Sequence, residues 1–517
     1  MPATETLERD TPTATPSQTA PQGVPARHVH VAIVGSGFAG LGMAIRLKQR
    51  GSDDFIVLER ADDVGGTWRD NHYPGCQCDV PSHLYSFSFA PNPTWSRTFS
   101  RQPEIQAYLR RCAEDAEVMP HVRFGHAVTG AAWDEDAQLW RIDTAGGPFT
   151  ARILVAAPGP LSEPSVPSLP GIERFEGKVF HSAEWDHDHD LEGERVAVIG
   201  TGASAIQFVP QIQPRVGRLH LFQRTPPWIM PHADRPISRL ERRVYRAFPA
   251  AQRLMRAGIY WARETFVFGF LHRRLMRMPQ RLARRHLRSQ VADPELRAKL
   301  TPDYQIGCKR ILLSNDFYPS LEQPNVELVT DGVREVRASS IVDAGGVERE
   351  IDTIIFGTGF QVARMPIAER VRGRDGLLLV DAWRDGMQAH LGTTVAGFPN
   401  LFILPGPNTG LGHTSMVFMI ESQIAYVLDC MRAMDANGLG AVEVRPEVQA
   451  TYNDEIQENM QGTVWLSGCA SWYLDASGRN RTLWPGFTYR FRQRTSRFDL
   501  TEYELRAAVP APLPTAG

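Results

Sequence analysis

The sequence predicts an α/β fold with two Rossmann-like dinucleotide-binding domains, in which the second domain is inserted into the first and carries a helical insertion. Two glycine-rich segments, VAIVGSGFAG and VAVIGTGASA, lie 165 residues apart, and each joins an apolar run typical of a buried strand to a helical pattern. Two later apolar runs, IDTIIFGTGF (351–360) and NLFILPG (400–406), also end in glycine turns. They indicate that the chain returns to the first domain after completing the second.

The first glycine segment is followed by an acidic residue at a defined distance. Gly35, Gly37 and Gly40 allow the backbone to approach a pyrophosphate at a helix N-terminus. Glu59 lies 24 residues after Gly35, at the end of the run FIVLE, where a carboxylate can accept hydrogen bonds from ribose hydroxyls. The first domain is therefore predicted to bind a dinucleotide that lacks a 2′-phosphate.

The second glycine segment is followed by a basic residue at the same distance. It contains Gly200, Gly202 and Ala205, with Ser204 as a further predicted cofactor contact. Arg224 lies 24 residues after Gly200, at the end of the run RLHLFQR. Because a guanidinium can bind phosphate oxygens through two parallel hydrogen bonds, this position suits a 2′-phosphate. The second domain is therefore predicted to bind NADPH.

The composition is typical of a soluble protein of several domains, with 517 residues, a net charge of −2 and 42% hydrophobic residues. The sequence contains no run of eighteen apolar residues, so no membrane span is expected, and no secretory signal is expected either. Residues 1–27 are rich in Thr, Pro and Ala and predict a disordered tail. The six cysteines show neither disulfide nor zinc spacing, which predicts a reducing, cytoplasmic location.

The pattern along the chain predicts three parts after the tail. The first domain is expected at 28–165 and the second at 166–345, with a Pro-rich crossover near their boundary. The first domain resumes at 346–517, where clustered Trp and Gly residues from about 440 onward indicate a lid region.

The insertion in the second domain is expected at 235–299 and is strongly basic. It holds 17 Lys and Arg residues against 4 Asp and Glu, with apolar residues at helical spacing. Two interpretations remain open: solvated helix faces, or an amphipathic surface that weakly contacts an anionic membrane. Nucleic-acid binding is not expected, since no binding motif accompanies the charge. Both glycine segments lie outside the insertion, so it is expected to be dispensable for cofactor binding.

Between the two nucleotide units lies the sequence FEGKVFHSAEWD. Its residues Phe175, Gly177, His181, Trp185 and Asp186 resemble the F-x-G-x-x-x-H-x-x-x-W-(Pro/Asp) fingerprint of type I Baeyer–Villiger monooxygenases, which are class B flavoprotein monooxygenases. The segments GGTW (65–68), NHYPGCQCDVPS (71–82), GCKR (307–310), FGTGF (356–360) and GPNTGLGHTS (406–415) extend the resemblance. One departure is Ala157-Pro158-Gly159, where many members have Ala-Thr-Gly.

The resemblance implies FAD in the first domain, NADPH in the second, and insertion of one oxygen atom from O2 into a ketone through a C4a-peroxyflavin. Arg310 matches the family's catalytic arginine and Asp79 the carboxylate paired with it; an arginine cannot act as an acid at neutral pH and therefore suits a site that stabilises negative oxygen. The remaining residues that the resemblance assigns to cofactor contacts are Gly66, Thr67, Trp68, Asp79, Thr225, Lys309, Gly359 and the lid residue Trp472.

Three other functions are compatible with two nucleotide sites. Oxygenation of N or S atoms is disfavoured by Trp185, because the related enzymes usually have Tyr there. An NADPH-dependent flavin, quinone or disulfide reductase is a further alternative, and only its disulfide version is disfavoured, because Cys76-x-Cys78 is not a redox-active spacing. A nucleotide-binding sensor is disfavoured by the GCKR segment. No metal is expected in the run DHDHD (186–190), and the ketone and the oligomeric state are left undetermined.

Overall fold

The computed structural model describes residues 26–362 and 365–509. Most of the predicted tail lies outside these ranges, and the first strand already begins at Arg27. The described residues form twenty strands: β1 (Arg27–Val34), β2 (Phe55–Leu58), β3 (Val122–Arg123), β4 (Val128–Asp134), β5 (Leu139–Thr144), β6 (Phe149–Ala156), β7 (Lys178–His181), β8 (Arg195–Ile199), β9 (Arg218–Phe222), β10 (Ile229–Met230), β11 (Leu312–Leu313), β12 (Val326–Val329), β13 (Val333–Val336), β14 (Ser340–Asp343), β15 (Glu348–Glu350), β16 (Thr353–Phe356), β17 (Val371–Arg372), β18 (Leu401–Ile403), β19 (Leu439–Val444) and β20 (Tyr503–Ala507).

The same ranges contain fourteen α-helices. They are α1 (Phe38–Gln49), α2 (Thr67–Asp70), α3 (Gln102–Asp115), α4 (Ala205–Ile212), α5 (Arg239–Ala247), α6 (Pro249–Glu264), α7 (Val267–Leu271), α8 (Arg277–Gln290), α9 (Pro294–Lys299), α10 (Phe317–Leu321), α11 (Leu379–Ala382), α12 (Met416–Ala436), α13 (Pro446–Met460) and α14 (Thr488–Arg494). None of the described helices is both long and apolar enough to cross a membrane.

The first sheet confirms that the first domain is split along the chain. Its strand order is β17-β4-β5-β6-β1-β2-β3, and β18 also pairs with β6. β1 lies parallel between β2 and β6, which is the arrangement expected of a Rossmann unit. β17 and β18 come from the chain after the second domain, so the 400–406 run returns as predicted.

The second sheet is entirely parallel and has the order β12-β9-β8-β16-β7. The strands of this sheet correct one predicted domain boundary. The run at 351–360 was expected to rejoin the first domain, and the boundary was therefore placed at 345. β16 instead pairs with β7 and β8. A fully buried run indicates a parallel sheet interior but carries no information about which sheet it enters.

The insertion is helical, as predicted, and comprises α5 to α9. It lies between β10 and β11, which pair in parallel as a two-stranded ribbon. Because the two strands are parallel, the ribbon brings the segments before β10 and before β11 next to each other.

Candidate active site

The first glycine turn has no room for side chains. Gly35 has φ +96°, and a Cβ atom there would lie 2.5 Å from the carbonyl oxygen of Ala157. Gly66 has φ +52° and packs on Gly37. A Cβ atom added at Gly66 would lie 2.9 Å from the Cα atom of Gly37. The N-terminus of α1 has no side-chain cap, so its backbone N–H groups are available to an anion. This cradle fits a pyrophosphate.

Glu59 lies at the end of β2 and is 4% exposed. Its Oε2 accepts hydrogen bonds from the backbone N (2.9 Å) and Oγ (2.6 Å) of Ser36, and its Oε1 forms an ion pair with Arg69 at 2.9 Å. Burial by itself raises the pKa of Glu59, but Arg69 and these hydrogen bonds outweigh it and lower the pKa overall. The carboxylate is therefore held ionised beside the glycine turn. Sequence reasoning missed Ser36 and Arg69, because neither belongs to the fingerprint.

The turn after β6 keeps its glycine despite Pro158. Gly159 has φ +74°, a conformation that favours glycine, and the backbone N of Ala157 donates to Val34 at 2.9 Å. Pro158 therefore comes directly after the last residue that is hydrogen-bonded to β1. Replacing the Thr of the family pattern by proline removes no hydrogen bond between β6 and β1.

The second glycine turn repeats the geometry of the first, but its helix begins later. Gly200 has φ +107°, and its Cβ atom would lie 2.6 Å from the carbonyl oxygen of Gly357. α4 begins five residues after Gly200, with Ser204 at its N-cap, whereas α1 begins three residues after Gly35. This later start accommodates Ala205. Gly359 follows β16 and therefore lies at the carboxyl end of the strands of the second sheet, which corrects the expectation that this segment returns to the first domain.

Two cations converge where a 2′-phosphate is expected. Arg224 precedes β10 and Lys309 precedes β11, so the parallel ribbon brings them together. Burial and, secondly, the charge of Arg224 lower the pKa of Lys309. Within the described residues, neither cation forms an ion pair with an acidic side chain. Thr225 borders the glycine turn, since its carbonyl oxygen accepts a hydrogen bond from Thr201. These two charges fit an anionic ligand.

The two residues predicted to be catalytic form an ion pair across the domains. Arg310 donates to Oδ2 of Asp79 through Nε at 3.1 Å and also through Nη2. Asp79 raises the pKa of Arg310, against an opposing effect of burial. For Asp79 burial raises the pKa, but Arg310 and then Arg263 outweigh it and keep the pKa below its ordinary value of 3.8. The arginine is therefore permanently charged and held in place.

The insertion lies directly against this pair. Arg263, on α6, donates from Nη2 to the backbone carbonyl oxygen of Asp79 at 3.1 Å. The side-chain amide of Gln207, on α4, forms two hydrogen bonds with the backbone of Gln77. It donates to the carbonyl oxygen at 3.1 Å and accepts from the backbone N at 3.2 Å. The segment that carries Asp79 is thus held by both the second domain and the insertion. The contact between the insertion and Asp79 was not expected, because the sequence analysis considered only how far the insertion lies from the two glycine segments along the chain.

Comparison with known proteins identifies the family. The chain is 56% identical over 487 residues to a Baeyer–Villiger monooxygenase of Streptomyces coelicolor, covering 94% of each protein. It is 55% identical over 500 residues to a Baeyer–Villiger monooxygenase of Pseudomonas aeruginosa, covering 96% of this chain and 95% of that one. The chain belongs to the Baeyer–Villiger monooxygenase family.

Two further matches agree with this assignment. Residues 32–253 match the pyridine nucleotide-disulphide oxidoreductase family. The crystal structure of OTEMO in complex with FAD and NADP superimposes with a TM-score of 0.82 at 27% identity, and the match covers 92% of this chain and 99% of that one. The predicted fold class, two Rossmann-like domains of a Baeyer–Villiger monooxygenase, is confirmed.

The fingerprint residues of this Baeyer–Villiger monooxygenase have packing roles. The ring of Trp185 packs between Phe180 and Phe208, each with centroids 5.2 Å away. His181 ends β7, is 2% exposed and lies edge-on to Phe360. Both residues therefore stabilise the joint between β7, β16 and α4.

A disulfide between Cys308 and Cys469 attaches the predicted lid segment to the loop that carries Arg310. This corrects the expectation that no cysteines pair: the two are 161 residues apart, and only the fold brings them together. Cys308 precedes Lys309 and Arg310, and Cys469 lies three residues before Trp472. Trp472 is 44% exposed and packs on Tyr473, whose buried phenol lies close enough to raise the pKa of Arg310.

The other four cysteines of this Baeyer–Villiger monooxygenase are buried free thiols. Burial raises the pKa of Cys76 to about 12 and also raises that of Cys78. Neither is poised to react as a thiolate, which agrees with the sequence argument against a disulfide reductase. In the described ranges no group of three or more His, Cys, Asp and Glu side chains is arranged to hold a metal. His187, in the DHDHD run, is instead hydrogen-bonded to His72 at 2.8 Å.

Proposed function

We propose that this protein is an FAD- and NADPH-dependent monooxygenase that inserts one oxygen atom of O2 into a ketone and forms an ester or lactone. The observation that carries the proposal is the Arg310–Asp79 ion pair, held at the junction of two nucleotide-binding domains. The membership of the family supports the reaction class, and the residues of the two sites support the cofactors.

The residues of each domain fit one cofactor. The Gly35 and Gly66 turns form a cradle that a Cβ atom would fill, and Glu59 offers a carboxylate next to it, as the ribose of FAD requires. Arg224 and Lys309 supply two positive charges for the 2′-phosphate of NADPH. FAD held at the first site would supply the redox chemistry with NADPH and O2 that the reaction requires.

Arg310 supplies a positive charge that cannot be lost as a proton. Attack on a carbonyl places negative charge on its oxygen, and a fixed guanidinium stabilises that charge without protonating the attacking oxygen. Asp79 positions the guanidinium and maintains its charge. The ketone is therefore expected to bind with its carbonyl oxygen toward Arg310.

Apolar residues lie beside the guanidinium of Arg310, whose side chain is 39% exposed. A buried apolar cluster adjoins the loop that carries it; its members include Phe270, Ile306, Val464, Trp465 and Tyr473. An apolar wall suits the hydrocarbon part of a ketone and strengthens the electrostatic effect of the nearby guanidinium.

The function is tested with the purified protein. We expect a flavin spectrum that bleaches on addition of NADPH without oxygen. In air, a panel of cyclic, linear, aryl and fused-ring ketones should yield products heavier by one oxygen atom, detected by mass spectrometry. Oxygenation of sulfides or amines without any ketone product would favour an N- or S-oxygenating enzyme. Flavin reduction without any oxygenated product would favour a reductase.

Replacing Arg224 by alanine is expected to raise the KM for NADPH roughly tenfold to a hundredfold, because one charge-assisted contact to phosphate contributes about 1.5–3 kcal/mol. The KM for NADH, which lacks the phosphate, should change much less. Steady-state kinetics with both cofactors measures the difference, and Arg334→Ala, an exposed arginine in β13, is the control. Equal losses for both cofactors would show that Arg224 does not contact the phosphate.

Replacing Arg263 by glutamine is expected to move the acid limb of the pH–rate profile to higher pH. The charge of Arg263 lowers the pKa of Asp79, so its loss raises that pKa and the ion pair with Arg310 breaks at a higher pH as the solution is acidified. The rate of ester formation, measured from below pH 3.8 up to pH 8, follows the shift, with the solvent-facing Arg253→Gln of the same helix as the control. An unchanged acid limb would show that the charge of Arg263 does not control the pKa of Asp79.

We further propose a cytoplasmic location, because NADPH is regenerated in the cytoplasm and the reaction consumes one NADPH for each ketone. Cell fractionation followed by detection of the protein in the cytosolic and envelope fractions tests this location.

A further inference from the structure

The insertion helix α6 is oriented with its polar side chains toward the protein. Gln252 is 5% exposed, and its Nε2 donates to the carbonyl oxygen of Asn92 at 2.7 Å. Glu264 is 1% exposed and accepts a hydrogen bond from Oγ1 of Thr488 at 2.9 Å. Arg256 likewise turns inward and donates to backbone carbonyl oxygens of the first domain. These contacts are unusual for the covered face of a helix, which is generally apolar.

The outward face of α6 is apolar. Leu254 is 75% exposed and Trp261 57%, and their spacing of seven residues places them on one side of the helix. Phe266 and Phe268 follow, 54% and 47% exposed. Eleven of the nineteen large hydrophobic residues that are exposed in the described part of the chain lie in the insertion. Such a concentration indicates a surface that is covered in the working state.

The apolar side chains are surrounded by positive charge. The insertion holds 17 Lys and Arg residues against 4 Asp and Glu, while the whole chain carries a net charge of −2. Arg243, Arg246, Arg253, Arg277 and Arg281 are exposed among the apolar residues. A second copy of this chain would bring the same cations against them, which opposes self-association. An anionic lipid surface complements both features, since it offers negative headgroups above an apolar interior.

We propose that the insertion docks on anionic membranes, with Leu254, Trp261, Phe266 and Phe268 entering the boundary between headgroups and acyl chains. α7 connects this surface to the active site, because Phe270 points inward and packs on Trp465 with ring centroids 5.3 Å apart. Phe270 also lies against Gly307, at the start of the loop that carries Arg310. As a consequence that rests on the proposed function, membrane-dissolved lipophilic ketones are the substrate class that this surface supplies.

Co-sedimentation of the FAD-loaded protein with vesicles tests the proposal. Wild-type protein is expected to sediment with vesicles of mixed phosphatidylglycerol and phosphatidylcholine at low salt, and to be released at high salt. The double variant Leu254→Ser/Trp261→Ser should bind at least about tenfold more weakly, because two inserted apolar side chains are lost. The double variant Arg253→Glu/Arg277→Glu should lose vesicle binding, because the two new negative charges are repelled by the anionic headgroups. The matched control is Val347→Ser/Leu505→Ser, two exposed apolar residues outside the insertion.

The outcomes separate this proposal from the proposed function. FAD content and oxidation of a water-soluble ketone should be unchanged in the Leu254/Trp261 variant, since neither residue contacts the Arg310–Asp79 pair; this also shows that the variant folds. Failure of wild type to sediment under any condition, or equal sedimentation of all variants, would overturn the membrane proposal and leave the catalytic one standing. A concentration-dependent dimer that the Leu254/Trp261 variant abolishes, without lipid binding, would assign the surface to a second copy.

Discussion

Replacing Arg310 by alanine is expected to lower the rate of ester formation by about three orders of magnitude while FAD remains bound. A single preorganised contact to a developing oxyanion contributes about 2.7–4 kcal/mol, and this contact is ionic. FAD is proposed to bind at the Gly35 turn and Glu59, which Arg310 does not contact. Reduction by NADPH requires only that the two cofactors meet, so it should slow less than oxygen insertion. Oxygen should then end as hydrogen peroxide.

Product analysis together with NADPH and peroxide measurements checks this expectation. Asp79→Ala should act in the same direction but less severely, because Asp79 positions the guanidinium and does not contact the ketone. Arg334→Ala, on the surface of β13, should have no effect. Near-normal ester formation by the Arg310→Ala variant would refute the assigned role even if both cofactors bind as proposed.

Replacing Gly40 by alanine is expected to weaken FAD binding about tenfold to a hundredfold and to lower the Tm. The new Cβ atom would lie 1.9 Å from the carbonyl oxygen of Gly35, so the backbone of the turn has to move. Overpacking of this kind costs about 1–3 kcal/mol, and the displaced turn no longer presents its N–H groups to the pyrophosphate. The equivalent residue of the second domain, Ala205, is already alanine because α4 begins later.

FAD titration of the apoprotein and thermal unfolding of the FAD-loaded protein measure both effects. Gly258→Ala on the exposed face of α6 is the control, because no atom lies within 4 Å of its Cβ position and alanine favours a helix by about 1 kcal/mol. If Gly40→Ala binds FAD as tightly as the wild type, the steric account of this turn is wrong.

The sequence by itself determined the features that depend on local spacing. A strand, a glycine turn and a helix are adjacent in the chain, so the two fingerprints could be found without a structure. The charges of Glu59 and Arg224 were informative because the second strand of each unit ends at a predictable distance from its turn. The pairing of Asp79 with Arg310 came from the family resemblance, since 231 residues separate them.

Only the tertiary structure decided which distant segments meet. β16 pairs with β7 and β8 and therefore belongs to the second sheet. An apolar run in the sequence does not indicate which strands it will pair with. Cys308 and Cys469 pair, and Arg263 holds the backbone of Asp79, because the chain folds back over long separations. The direction in which α6 faces was equally undetermined. An amphipathic pattern shows that a helix has two faces, but packing against the first domain selects which face is covered.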